Sequence, residues 1–165
     1  WQSGSSLVLP AAAAGLSFGG WSLVHSLTTA FVTTGTHTTF QDEGLTMTLN
    51  DVAGRTYRFT AVVAPYVSGG ANRVIYRLLR DGVQLRTWSV PTEALSTTVA
   101  HMMTFVHSEP IAATHAASVY KIQLAAGTTN TAVDSHGGAA IPRQLIIEDI
   151  GPSTATAATY QIRAF

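Results

Sequence analysis

The chain has 165 residues, no cysteine and a formal net charge of zero, nine basic side chains against nine acidic. That length suits one core and one domain. The missing cysteines exclude disulfides, thiolate metal sites and cysteine nucleophiles, and the absence of a positive excess argues against a nucleic-acid binder.

Charged residues make up only 11% of the chain, against the usual quarter or so, and Thr, Ser, Ala and Gly dominate the remainder. Abundant Thr fits a pleated, half-exposed surface, and the low charge suggests surface hidden in an assembly. From Trp1 to Gln41 there is no Asp, Glu, Lys or Arg. Residues 1–20 read as a linker or N-terminal arm, because "WQSGSS" is linker-like and "PAAAAG" is too short for an isolated helix. The apolar stretch "LVLPAAAAGL" is broken by Pro10 and flanked by no basic residue, so neither a membrane span nor a signal peptide is expected. The opening Trp1 suits a fragment or one domain of a longer chain.

Residues 21–165 read as a single domain built on period-two patterning. "SLVHSLTTAFVTT" places Leu23, Leu27 and Phe31 on one parity. "LTMTLN" alternates Leu45, Met47 and Leu49 with Thr or Asn. "GRTYRFTAVVAPY" puts Tyr57, Phe59, Ala61 and Val63 on one face, with Thr56, Arg58 and Thr60 on the other. "NRVIYRLL" and "VQLRTWSV" flank Asp81-Gly82, a hairpin signal because both central positions need positive φ. "PTEALS" has room for one helical turn. "VAHMMTFVHS" follows, then "SVYKIQLAAG" with Tyr120, Ile122 and Leu124 inward and Lys121 and Gln123 outward, then "RQLIIEDIG" and "ATYQIRAF". About eight or nine strands, broken by turn signals, predict an all-β antiparallel sandwich or jelly roll.

Reactive centres are hard to find in this pattern. Glu148 and Asp149 are adjacent, and neighbours on a strand point to opposite faces. They cannot converge as an acid/base pair does, so they read as a strand end before Gly151-Pro152. Asp42-Glu43 and Asp51 read as turns. Calcium could draw oxygen ligands from them, but no spacing matches a calcium loop. The histidines are His25, His37, His101, His107, His115 and His136. His101 and His107 share a predicted strand but lie about 20 Å apart at the usual rise, too far to share a metal. No G-x-S-x-G elbow, P-loop or dinucleotide fingerprint occurs. No catalytic residue, metal site or cofactor is therefore expected. Arg55, Arg58, Arg73, Arg77, Arg80 and Arg86 cluster around the central hairpin, where acidic partners or a protein surface would neutralise them. Trp21, Trp88, Tyr66 and Tyr76 are the candidates for a glycan-stacking platform, although aromatics on a sandwich are also ordinary core and interface residues.

Taken in order, "GLTMTLNDVAGRTYRFTAVVAPY", "VIYRLLRDGVQL", "AATHAASVYKIQLAAGTT" and "PRQLIIEDIGP" resemble a group of tailed-bacteriophage virion proteins, many from phages of actinobacteria. The resemblance covers roughly residues 44–152. Arg55, Tyr57, Asp81, Gly82, Tyr120, Lys121 and Glu148 to Pro152 fall on its shared positions. It implies a non-enzymatic structural protein of the virion, in the tail (minor tail or fibre protein) or at the capsid surface. Its partners would be further copies of itself, as a homotrimer, and other virion proteins, with host-surface glycan as a further partner at a receptor-binding tip. The strand order is also similar to the trimeric jelly rolls of the tumour-necrosis-factor and complement type.

Overall fold

The computed structural model describes residues 21–28, 32–33, 39–67, 73–91, 102–127, 133–135 and 143–153. All regular structure among them is β: β1 Trp21–Thr28, β2 Val32–Thr33, β3 Gln41–Asp51, β4 Arg55–Val63, β5 Pro65–Val67, β6 Arg73–Arg80, β7 Val83–Pro91, β8 Met103–Pro110, β9 His115–Ala126, β10 Val133–Ser135 and β11 Arg143–Pro152. The stretch "PTEALS" and the C-terminal "ATYQIRAF" lie outside the described residues.

Eight of these strands form two antiparallel four-stranded sheets, β1-β11-β4-β8 and β3-β9-β6-β7. Numbering those eight from one to eight along the chain, the first pairs with the eighth, the second with the seventh, the third with the sixth and the fourth with the fifth. This is the nesting of one long hairpin rolled into two sheets, and it defines a jelly roll. The pairs β11–β4 and β9–β6 complete each sheet. The short strands β2, β10 and β5 form a small third sheet from the long connections at one end of the roll. Tight turns close the other end.

Alternation builds the core. Tyr57, Phe59, Ala61 and Val63 of β4 face Leu45 and Met47 of β3, Val74, Tyr76 and Leu78 of β6, and Tyr120, Ile122 and Leu124 of β9. Leu145 and Ile147 complete it from β11. The open side between edge strands β7 and β8 is closed by rings: Trp88 stacks on Phe105 at 5.2 Å, and Phe105 meets Tyr76 at 5.5 Å. Asp81 and Gly82 take φ of 50° and 81°, as a two-residue hairpin between right-twisted strands requires.

Two strands carry charge inward. Asp42 and Glu43 do not form a turn; they lie in β3, where the register shifts between Asp42 and Thr46 and Gly44 takes φ of 77°. Glu43 keeps the inward parity of Leu45 and Met47 and meets Arg143 of the opposite sheet at 2.8 Å, both fully buried. Each charge compensates the other's desolvation, without which either would be strongly destabilising. Asp51 ends β3 and is also fully buried, at the tight-turn end.

Candidate functional site

The carboxylates resolve into structural pairs. Glu148 and Arg58 oppose one another across β11 and β4 and meet at 2.9 Å on the outer face. That bond, and then the guanidinium charge, hold the Glu148 carboxyl below the usual range. Asp149 points the other way and accepts a two-pronged contact from Arg55, with Nε at 2.8 Å from Oδ2 and Nη2 at 2.7 Å from Oδ1. The Gly151 amide also donates to Asp149 Oδ1 at 3.0 Å, across the bulge that shifts the register between Asp149 and Gly151. The "EDIGP" stretch is thus a strand end locked to the start of β4. Asp51 accepts from Ser118 Oγ and from the Tyr120 hydroxyl, each at 2.7 Å, and lies 3.7 Å from the Arg80 guanidinium. Burial, then the bond to Asp51, pushes the Tyr120 phenol well above its ordinary range. Glu43 and Asp51 sit at opposite ends of one strand and cannot share an ion. Among the described residues no three His, Asp or Glu side chains come close enough to hold a metal.

His107 points inward from β8, 3.0 Å from Glu109 and stacked on Phe59. His37, His101 and His136 fall outside the described residues, and of His25 only the backbone is described.

Two of the four aromatic candidates, Tyr76 and Trp88, are engaged with the interior. Tyr76 is fully buried in the core, because even positions of β6 face inward, and it cannot meet a glycan from there. Trp88 lies opposite Tyr76 on β7, and its ring is engaged against Phe105. The side chains of Trp21 and Tyr66 lie outside the described residues.

The two outer faces differ in chemistry. On the sheet containing β3, Asp42 binds Lys121 at 3.0 Å and Gln123, which together hold its carboxyl below the usual range, the Gln123 bond most of all. Arg77 donates to Gln123 and lies 3.8 Å over the Phe40 ring. On the sheet containing β4, cross-strand rows run Ile146–Thr60–Val106 and Gln144–Val62–Thr104, and residues paired in this way share a face. Val106 is 53% exposed at the edge. The described charges on this face are Arg58 and Glu148, which cancel one another. Periodicity marked Thr60 as outward, but only the pairing brings it beside Ile146 and Val106.

No known family profile matches the chain, and no curated protein sequence matches it significantly. Solved structures share a partial likeness. A structure of infectious bursal disease virus, Gt strain, is 13% identical over 78% of this chain and 38% of that one, with a TM-score of 0.40. The insecticidal delta-endotoxin Cry8Ea1 from Bacillus thuringiensis is 12% identical over 75% of this chain and 19% of that one, with a TM-score of 0.39. The EclA C-terminal domain, a sugar-binding protein, is 17% identical over 89% and 87% of the two chains, with a TM-score of 0.33. The chain therefore spans well under half of the first two. Likenesses this loose assign nothing, and the jelly roll rests on the strand pairing itself.

Proposed function

We propose that the chain is a non-enzymatic structural module of a bacteriophage virion, in the tail or at the capsid surface, acting in particle assembly or host attachment as a homotrimer. The observation that carries this reading is the charge-poor outer face of the β1-β11-β4-β8 sheet. A solvated sheet face normally alternates to polar and charged side chains; among the described residues of this face Ile146, Val62 and Val106 stand with Thr60, Thr104, Gln144 and Ser108, and the one ion pair, Arg58–Glu148, cancels itself. Such a face suits contact with another protein surface, where charged residues are depleted at the core. The ordered motifs across residues 44–152 supply the virion context, and the jelly roll is an architecture that capsid and lectin domains use, although a fold alone does not name a function. Glu148, Asp149, Glu43 and Asp51 are each held by a structural partner, which is the part of the non-enzymatic reading that geometry supports.

Light scattering at micromolar concentration tests the assembly. The expected mass is three chains of 17.4 kDa; a monomer would overturn the oligomeric reading. Antibody labelling of intact particles then separates capsid decoration from a tail position, and particles that take up no label would remove the virion assignment.

A further inference from the structure

The tight-turn end of the roll holds a hollow of about 180 Å³ lined by Arg80, Asp81, Val83 and His115. We infer that this hollow binds one ring of a neutral sugar, with Arg80 and Asp81 gripping adjacent hydroxyls. The proposal deepens the host-attachment side of the reading above and is separable from it, since oligomerisation reads a different face.

The two charged walls are held from behind. Arg80 stands opposite Tyr120 in register, and its guanidinium lies 3.7 Å from the buried Asp51 carboxylate. Asp51 is itself fixed by Ser118 and Tyr120. Asp81 sits in the hairpin turn and is clamped to β9: its amide donates to the Val119 carbonyl at 2.8 Å, and its Oδ1 accepts from the Val119 amide at 2.7 Å. Its Oδ2 takes no hydrogen bond from a described residue. His115 pairs with Asp51 in register and is exposed. Val83 is 67% exposed and offers an apolar wall.

This combination selects its ligand. A guanidinium donates only and a carboxylate accepts only, whereas a sugar hydroxyl does both; a fixed donor beside a fixed acceptor therefore suits two neighbouring hydroxyls. The sum of charge at the hollow disfavours an anion, because Arg80 is balanced by Asp81 at the mouth and by Asp51 behind. The volume is below the roughly 300 Å³ at which drug-sized sites begin, which limits occupancy to one ring. Arg80, held by the buried Asp51, and Asp81, clamped to the Val119 backbone, lose little freedom on binding.

The test is a titration of the isotope-labelled full chain with glucose, galactose and mannose, followed by amide and methyl NMR, with glucuronate as the acidic probe. Saturable shifts at Arg80 to Val83 and at His115 are expected for at least one neutral hexose, with weaker response to glucuronate. His115→Ala, an exposed change that leaves Asp51 and its donors in place, should weaken that binding several-fold while the rest of the spectrum stays unchanged. Arg80→Gln should abolish it. Absence of shifts at these residues up to about 100 mM sugar, where even a dissociation constant of about 10 mM would show, overturns the proposal. So does tighter binding of glucuronate, or binding that His115→Ala and Arg80→Gln leave intact. None of these outcomes alters the mass by light scattering, so a failed sugar site and a failed assembly reading remain distinct.

Discussion

Asp51 shows how a single buried carboxylate ties a strand end together. Its two oxygens are held by the hydroxyls of Ser118 and Tyr120, both on β9, while Arg80 supplies the countercharge from β6. Replacing Tyr120 by Phe keeps the ring but leaves one buried oxygen short of a donor, which should cost about 1–3 kcal/mol at neutral pH. The pH dependence has a definite sign. The Tyr120 phenol is raised above its unfolded value of 10.0, and Tyr57 is raised in the same direction, chiefly by burial. Above about pH 10 the unfolded chain sheds these protons while the folded chain keeps them, so stability is full below that pH and declines above it. Urea unfolding at pH 7 and near pH 11 should show a steep alkaline loss in the parent and a shallower one in Tyr120→Phe. Equal losses in the two proteins would show that the Asp51–Tyr120 bond does not set the alkaline limit.

Turns and bulges decide where the elements stop, and two positions of positive φ should respond with opposite sign. Gly82 takes φ of 81° with no atom within 4 Å of an added Cβ, so Gly82→Ala is strained by backbone alone and should destabilise by about 1 kcal/mol. Ala117 takes φ of 56° where β9 bulges against β3, its amide held by the Asn50 side chain at 2.9 Å. Ala117→Gly relieves that strain, partly offset by the freer unfolded chain, and should stabilise by a few tenths to about 1 kcal/mol. Thermal unfolding of both variants checks the pair; shifts of the same sign would contradict the backbone account. The hairpin at Asp81-Gly82 and the inward faces of β4 and β9 were legible because alternation and turn chemistry are local. The bulge at Gly44 was not: Asp42-Glu43 beside a glycine looks like a turn, although Glu43 shares the parity of Leu45 and Met47, and only the buried Arg143 on the other sheet explains how a carboxylate is tolerated there. Tyr76 was misread for a related reason. A Tyr on an alternating strand has the same local pattern whether its face is core or surface, and the choice is made by the sheet that packs against it.

At the scale of the molecule, rolling the chain joins its distant parts. β1 and β11 pair residues 21–28 with 143–149, a separation no local pattern predicts, so the eight long strands of the two sheets could be located from the sequence while the short β2, β5 and β10 and the order within the sheets could not. The same rolling assembles the face on which the assembly proposal rests, since Ile146, Thr60 and Val106 come from three strands. The sheet is about 15–20 Å across and about 25 Å long at ordinary strand spacings, a flat area of roughly half one partner's share in a standard interface. A lysine at Val106 would place an unpaired cation on that surface without entering the core, because Val106 is an exposed outer residue of an edge strand. Val106→Lys should therefore leave the unfolding transition within about 0.5 kcal/mol of the parent, as surface changes do, yet shift the mass by light scattering from trimer towards monomer. Thr48→Lys, exposed on β3 of the other sheet opposite Val119, is the matching control and should leave the mass unchanged. If Thr48→Lys dissociates the particle and Val106→Lys does not, the subunits meet through the polar sheet, and charge depletion is the wrong guide to how this jelly roll assembles.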